Sequence, residues 1–110
     1  MAGVIVQPDI TTTANRAQII ALAAKHRLPA VYPFRFLTNE GGLASYGIDV
    51  IDGYKRSASY VDRILRGEKP GDLPVQAPIK FELSVNLKIA SALGLQLPAM
   101  LLGRADEVIE

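Results

Sequence analysis

Two short apolar runs with a helical segment between them constrain the fold of this chain more than any other feature. The runs are residues 4–6 and 30–32, and residues 14–25 carry apolar side chains at helical spacing. Residues 4–6 are apolar on both faces, the pattern of a strand buried in a parallel sheet. Strand, helix and strand within roughly 30 residues form a βαβ unit with parallel strands and a right-handed crossover. The sequence therefore predicts an α/β fold with a parallel sheet. Thr11, Thr12 and Thr13 offer hydroxyls for the N-cap of the helix, and we expect one of them to cap it.

The middle of the chain predicts one long helix between two irregular connections. Residues 50–66 repeat apolar side chains at helical spacing, and Gly67 then Pro70 stand where a helix ends. Residues 33–42 and the proline-rich residues 71–78 predict long connections. We expect Tyr54 and Tyr60 to pack on the inner face of the long helix.

The last third of the chain begins with a clear strand pattern. From Lys80 to Asn86 apolar and polar side chains alternate, so Phe81, Leu83 and Val85 share one face. This pattern predicts a half-exposed strand at an edge of the sheet. A short helix at residues 87–93 and a last helical piece, with residues 104–110 as its tail, are expected to follow.

Composition excludes several classes of protein. Lys and Arg number 12 against 11 Asp and Glu, which argues against a nucleic-acid partner. One histidine and no cysteine leave no metal site, and no glycine-rich loop is present to bind a phosphate cofactor. The apolar runs are far shorter than the ~20 residues that span a bilayer. The first residues lack the pattern of a secretory signal, so export by that route is not expected.

The chemical candidates are the polar and aromatic residues at the strand ends. Ligands of parallel α/β sheets bind outside the carboxyl ends of strands, where Asp9, Phe34 and Tyr46 fall. Asp9 either accepts a hydrogen bond from a ligand amine or caps a helix. Phe34 and Tyr46 either stack on a ligand or complete the core. His26 at the end of the first helix is best explained by a solvated role.

The order of several segments resembles the carboxyl-terminal part of the substrate-binding proteins of ABC importers. The resemblance is to the type I periplasmic-binding family, whose better-known members bind aromatic amino acids. Its most specific part is Leu-Arg-Gly-Glu-Lys-Pro at 65–70 with Asp-Leu-Pro-Val at 72–75. The matching segments are residues 31–35, 41–47, 60–75, 80–88 and 92–95.

The resemblance implies Rossmann-like, three-layer segments of a two-lobed protein with a ligand cleft between the lobes. On this comparison residues 1–33 end the second lobe, residues 34–78 hold a crossover and a returning piece of the first lobe, and residues 79–110 rejoin the second lobe. It implies an incomplete fold, since most of the first lobe of the family is absent from this sequence. The cleft-facing candidates that it implies are Asp9, Phe34, Glu40 and Tyr46.

Three functions are compatible with these features. The first is a non-catalytic solute-binding component of an importer, or a fragment of one. It would bind a small solute such as an amino acid, partner an ABC permease and, in the full-length family, work in the periplasm or as an extracytoplasmic lipoprotein. The second is a stand-alone α/β module that forms a homodimer or swaps a segment through an open sheet edge at residues 80–86. The third is a small enzyme with Asp9 or Glu40 as acid or base, for which no catalytic partner is found.

Overall fold

A computed structural model of the chain describes residues 2–110. The described residues form two compact units, one made of the chain up to Gly47 together with Glu82–Glu110, the other of Ile48–Phe81. The strands are β1 (Val4–Ile5), β2 (Ala30–Tyr32), β3 (Ala44–Ile48), β4 (Phe81–Asn86) and β5 (Glu107–Ile109). The α-helices are α1 (Ile10–Ala14), α2 (Arg16–Lys25), α3 (Arg35–Asn39), α4 (Val50–Leu65), α5 (Leu87–Ala92) and α6 (Ala99–Arg104).

The five strands form one sheet in the order β1-β2-β3-β4-β5. β1 pairs in parallel with β2, β2 with β3, and β4 with β5. The α/β fold and the parallel pairing predicted for the first two strands are confirmed. Tyr32 of β2 is the register partner of Ser45 in β3, so these two side chains share one face of the sheet.

The core of the first unit lies on this face. Ala30, Tyr32 and Leu37 are buried together, and Leu37 belongs to α3. Helix α3 therefore packs on the same face of the sheet as Tyr32, within the stretch for which the sequence predicted an irregular connection. The partly buried side chains around this cluster are Val6, Ile19, Ile20, Ala23 and Phe34.

The first helical segment begins earlier than predicted and is divided. Asp9 caps α1, because its Oδ1 accepts a hydrogen bond of 2.6 Å from the Thr11 amide. The expectation that one of the three threonines is the cap is wrong, since an aspartate two residues upstream supplies a better acceptor. Asn15 separates α1 from α2, and its Nδ2 donates to the Thr11 carbonyl.

The prediction that residues 80–86 form an edge strand is wrong. β4 lies between β3 and β5, because part of the segment predicted to be a helical tail is the strand β5. Asp106, just before β5, adds two hydrogen bonds to the pairing of β5 with β4: its amide donates to the Leu83 carbonyl, and its Oδ2 accepts from the Leu83 amide. Ser84 and Asn86, on the polar face of the alternation, are buried instead of solvated.

The second unit consists of α4 and the extended chain that follows it. Asp49 caps α4 by accepting from the Asp52 amide, and Gly67 after the helix has a φ of 110°, as its predicted position requires. Tyr54 is 74% exposed, which contradicts the expected packing of this side chain. Other apolar side chains of α4 are exposed too: Ile51, Val61 and Leu65.

Candidate functional site

The edge at which β1, β2 and β3 end is the candidate site, and we call it the carboxyl edge. Arg35 follows β2 by three residues, and its Nε lies 3.6 Å from Oε2 of Glu82 and 3.6 Å from Oε2 of Glu107. Glu82 and Glu107 stand at the beginnings of β4 and β5. The carboxyl edge therefore also carries the first residues of β4 and β5.

An aromatic and ionic chain of contacts joins two of the predicted site residues. Phe34 stacks on Phe36 with ring centroids 5.6 Å apart and planes inclined by 13°. The Arg16 guanidinium lies 5.5 Å from the centre of the Phe36 ring, and its Nε donates to Glu40 Oε2 at 2.8 Å. Phe34 and Glu40 are thus brought together through Phe36 and Arg16, neither of which the sequence singled out.

Asp9 and Tyr46 do not join this chain of contacts. Asp9 is exposed and caps α1 through one carboxylate oxygen. Tyr46 alternates with Ser45 along β3, so its side chain lies on the face opposite α3, and it is 61% exposed. None of the cavities described below is lined by Asp9, Phe34 or Tyr46.

Arg35, Glu82 and Glu107 form a cluster, here called the ionic cluster, in which the Arg35 guanidinium faces both carboxylates. The Glu82 side chain is only 14% exposed, and the 3.6 Å separations are ion-pair distances beyond hydrogen-bond length. Sequence reasoning missed these residues because a charged side chain opposite an apolar strand face is normally solvated. The buried neighbours of Glu82 on β4 were not visible in the local pattern.

Gly47 allows β3 to approach the backbone that follows β2. A β-carbon at this position would lie 1.8 Å from the Pro33 carbonyl oxygen. Pro33 precedes Phe34 directly, so the side chain of residue 47 decides how closely β3 can pack against the carboxyl edge. A glycine inside a strand commonly marks such a close approach.

The second unit has a polar hollow of about 290 Å³ between α4 and residues 76–80. Its lining side chains are largely paired with each other. Arg56 donates to Gln76 Oε1 at 2.8 Å, and Lys80 Nζ lies 3.3 Å from Asp49 Oδ2. The hollow thus offers few uncommitted polar groups to a ligand.

An apolar crevice of about 250 Å³ lies between α2 and α5 in the first unit. Tyr32 reaches it from the sheet, and burial raises the pKa of the Tyr32 hydroxyl above its ordinary value of 10.0. Arg27, which has a positive φ of 54°, spans the crevice and donates to the Ala92 carbonyl. The Arg27 contact joins the end of α2 to α5.

Among residues 2–110, no group of three or more His, Cys, Asp or Glu side chains is arranged to hold a metal ion. No helix in the same part of the chain has both the length and the apolar character to cross a membrane.

The model of the family described as ABC transporter substrate binding protein matches residues 1–109. Because the match spans nearly the whole sequence, the chain belongs to this family. The resemblance inferred from the segment order is confirmed. Among functionally curated proteins, no sequence matches the chain significantly.

Solved structures agree with this assignment. A conserved domain protein from Vibrio cholerae is 29% identical with a TM-score of 0.89, over 96% of this chain and 36% of that chain. An ABC domain in complex with L-Trp from Streptococcus pneumonia is 28% identical with a TM-score of 0.89, over 99% and 38% of the two chains. A ligand-free, open substrate-binding protein with adhesive properties from Clostridium difficile, at 23% identity and a TM-score of 0.65 over 96% and 36%, supports the fold alone. The chain spans little more than a third of the length of these relatives.

Proposed function

We propose that this chain is part of an ABC importer's solute-binding protein, and that the ligand is a small amphiphilic solute such as an amino acid. The observation that carries the proposal is the likeness, at a TM-score of 0.89 and 28% identity, to a domain described in complex with L-Trp. The family match over residues 1–109 supports the same class of protein.

The carboxyl edge is the surface that we propose for the solute. In open α/β sheets ligands bind beyond the carboxyl ends of strands, and Phe34 offers an aromatic face there. Glu40 acts together with Arg16, with which it is paired. Asp9 and Tyr46 remain proposed contacts from the neighbouring strands.

The proposed function is binding without catalysis, in partnership with a permease outside the cytoplasm. Substrate-binding families of transporters present a captured solute to a membrane partner, and the proposal needs no acid, base or nucleophile. A stand-alone module that dimerises through residues 80–86 is not favoured, because β5 already pairs with β4.

A chimera tests the proposal. Residues 1–110 would replace the matching 38% of the pneumococcal L-Trp-binding domain, which restores the remainder of a two-lobed protein. Isothermal titration with the twenty amino acids is expected to show binding of at least one. A chimera that folds cooperatively and binds none of them would contradict the proposal.

Matched variants of the chimera locate the binding. Asp9→Asn keeps a capping side chain but removes the charge at the carboxyl edge, and is expected to weaken binding. Asp72→Asn is the control, because Asp72 is an exposed aspartate in the Pro70–Asp72 turn of 3-10 helix. Equal affinities for the two variants would remove Asp9 from the proposed contacts.

A further inference from the structure

Three buried hydroxyl groups of the first unit have no hydrogen-bond partner within residues 2–110. They are Thr38 Oγ1 of α3, Ser45 Oγ of β3 and Ser84 Oγ of β4. The three residues are 0%, 1% and 0% exposed, so bulk solvent does not reach them. Buried side-chain hydroxyls normally have at least one partner, because a hydroxyl left without one destabilises the folded state.

The strands β3 and β4 are neighbours in the sheet and run in opposite directions. The Asn86 amide, at the end of β4, donates to the Leu43 carbonyl just before β3 at 2.8 Å. The Asp49 amide, just after β3, donates to the Lys80 carbonyl just before β4 at 2.9 Å. Residue numbers therefore rise along one strand as they fall along the other, which is antiparallel pairing.

Ser45 and Ser84 stand directly opposite each other in this pairing. Each lies two residues inside the hydrogen-bonded pair of Leu43 and Asn86. Ser45 shares a face of the sheet with Tyr32, and this is the face on which α3 packs. The β-carbons of opposite residues are about 4.5 to 5.5 Å apart, a gap that one water bridges with two hydrogen bonds of about 2.8 Å.

Helix α3 brings the third hydroxyl over the two serines. Arg35, its first residue, lies 3.6 Å from the Glu82 carboxylate, and the Thr38 carbonyl accepts from Asn86 Nδ2 at 3.3 Å. The helix therefore follows β4 from Glu82 towards Asn86, and Ser84 lies beneath the turn between its two contacts. Thr38 follows Arg35 by three residues, so both side chains lie on the side of α3 that faces the sheet.

We infer that Thr38, Ser45 and Ser84 bind an internal water molecule between α3 and the sheet. A buried water typically makes about three hydrogen bonds to polar groups that lack another partner, which is the number of hydroxyls present. Full burial excludes a solute, and neutral hydroxyls supply no charge to hold an ion. The water ties to the sheet the helix that stands at the carboxyl edge. The inference goes beyond the proposed function and does not depend on it.

A crystal structure of the 110-residue chain, at a resolution that shows ordered water, is the direct test. A water oxygen is expected within about 3.2 Å of at least two of the three hydroxyl oxygens. Hydroxyls that bond directly to each other or to backbone carbonyls, or that remain unbonded, without such a water would overturn the inference.

Variants that remove one hydroxyl each give a second test by the sign of their effect. Thr38→Val, Ser45→Ala and Ser84→Ala should each lower Tm by roughly 4 to 8 °C, because each takes one hydrogen bond from the water. Removal of a buried hydroxyl that bonds to nothing would instead leave Tm unchanged or raise it. A fall in at least two of the three variants supports the water site, and any other result overturns it.

Ser57→Ala is the matched control. Ser57 is exposed on α4, where its Oγ donates to the Gly53 carbonyl, so the variant should shift Tm by only a few degrees. A fall as large as in the three variants would mean that their loss is not specific to the buried site. If the variants fail to fold, the crystal structure of the unmodified chain decides. Solute binding by the chimera tests the proposed function alone, so each can fail without the other.

Discussion

Gly47→Ala is expected to destabilise the first unit strongly. The new β-carbon would lie 1.8 Å from the Pro33 carbonyl oxygen and 2.9 Å from the Pro33 carbonyl carbon. Close carbon–oxygen contacts in sheets are about 3.3 Å, so the two backbones must separate by roughly 1.5 Å. Overpacking lowers the free energy of unfolding by about 1 to 3 kcal/mol when neighbouring side chains can move. Because the contact here is with backbone atoms, which move less easily, we expect a loss at the upper limit of roughly 3 kcal/mol.

Thermal unfolding followed by far-UV circular dichroism measures this loss. For a domain of this size about 3 kcal/mol lowers Tm by roughly 12 to 24 °C. Gly53→Ala is the matched control, because a β-carbon there meets nothing within 4 Å and the residue lies inside α4. That variant should gain about 0.5 to 1 kcal/mol from helix propensity. A Gly47→Ala protein that melts with the wild type would refute the close approach of β3 to Pro33.

Three further predictions concern the capping, buried polar and titrating groups of the first unit. Asp9→Ala removes the acceptor for the Thr11 amide and should lower the free energy of unfolding, measured in urea, by about 0.5 to 2 kcal/mol. Asp9→Asn keeps a capping side chain and should be nearly neutral, so equal losses in the two variants would contradict the capping role. Asn86→Ala removes the cap of α5 and the bond to the Thr38 carbonyl, so about 2 kcal/mol should be lost, and Asn86→Asp should recover the capping part alone. Burial raises the pKa of the Tyr32 hydroxyl above its ordinary value of 10.0. The stability that depends on the neutral hydroxyl is therefore complete below pH 10.0 and is lost as the pH rises through the higher pKa of the folded protein. Tyr32→Phe should lessen the fall of Tm at alkaline pH, and an unchanged dependence of Tm on pH would count against this.

Three of the five strands were predicted from short local patterns in the sequence. The apolar run before Asp9, the run ending at Tyr32 and the alternation of β4 each became a strand. β5 was missed because three residues after a helical run carry too little periodicity to distinguish a strand from a helical tail. Its pairing with β4, through Asp106 and Leu83, depends on contacts between distant residues and decides that β4 is internal.

The candidate site was predictable only in its location. The strand-end rule located Phe34 and Asp9 at the carboxyl edge, because parallel strands end together. It did not find Arg35, Glu82 and Glu107, since these residues come from three separate segments and each looks like an ordinary surface charge in its own segment. Only the packing of α3 on β4 and β5 brings them within ion-pair distance.

Local spacing also predicted a buried face on α4 that the structure does not show. The apolar spacing that predicted a buried face is real, but Tyr54 and Leu65 are 74% and 82% exposed in this chain. Nearly two thirds of each relative's sequence lies outside the part that is matched here. Periodicity reports that a helix face is suited to burial, and it does not report which segment covers it.

A crystal structure of the chimera with its bound amino acid would show where the solute binds. The solute is expected to lie against the carboxyl edge, with its ring near Phe34. A solute bound elsewhere on residues 1–110, or held at the carboxyl edge without contact to Phe34, would contradict the proposed site.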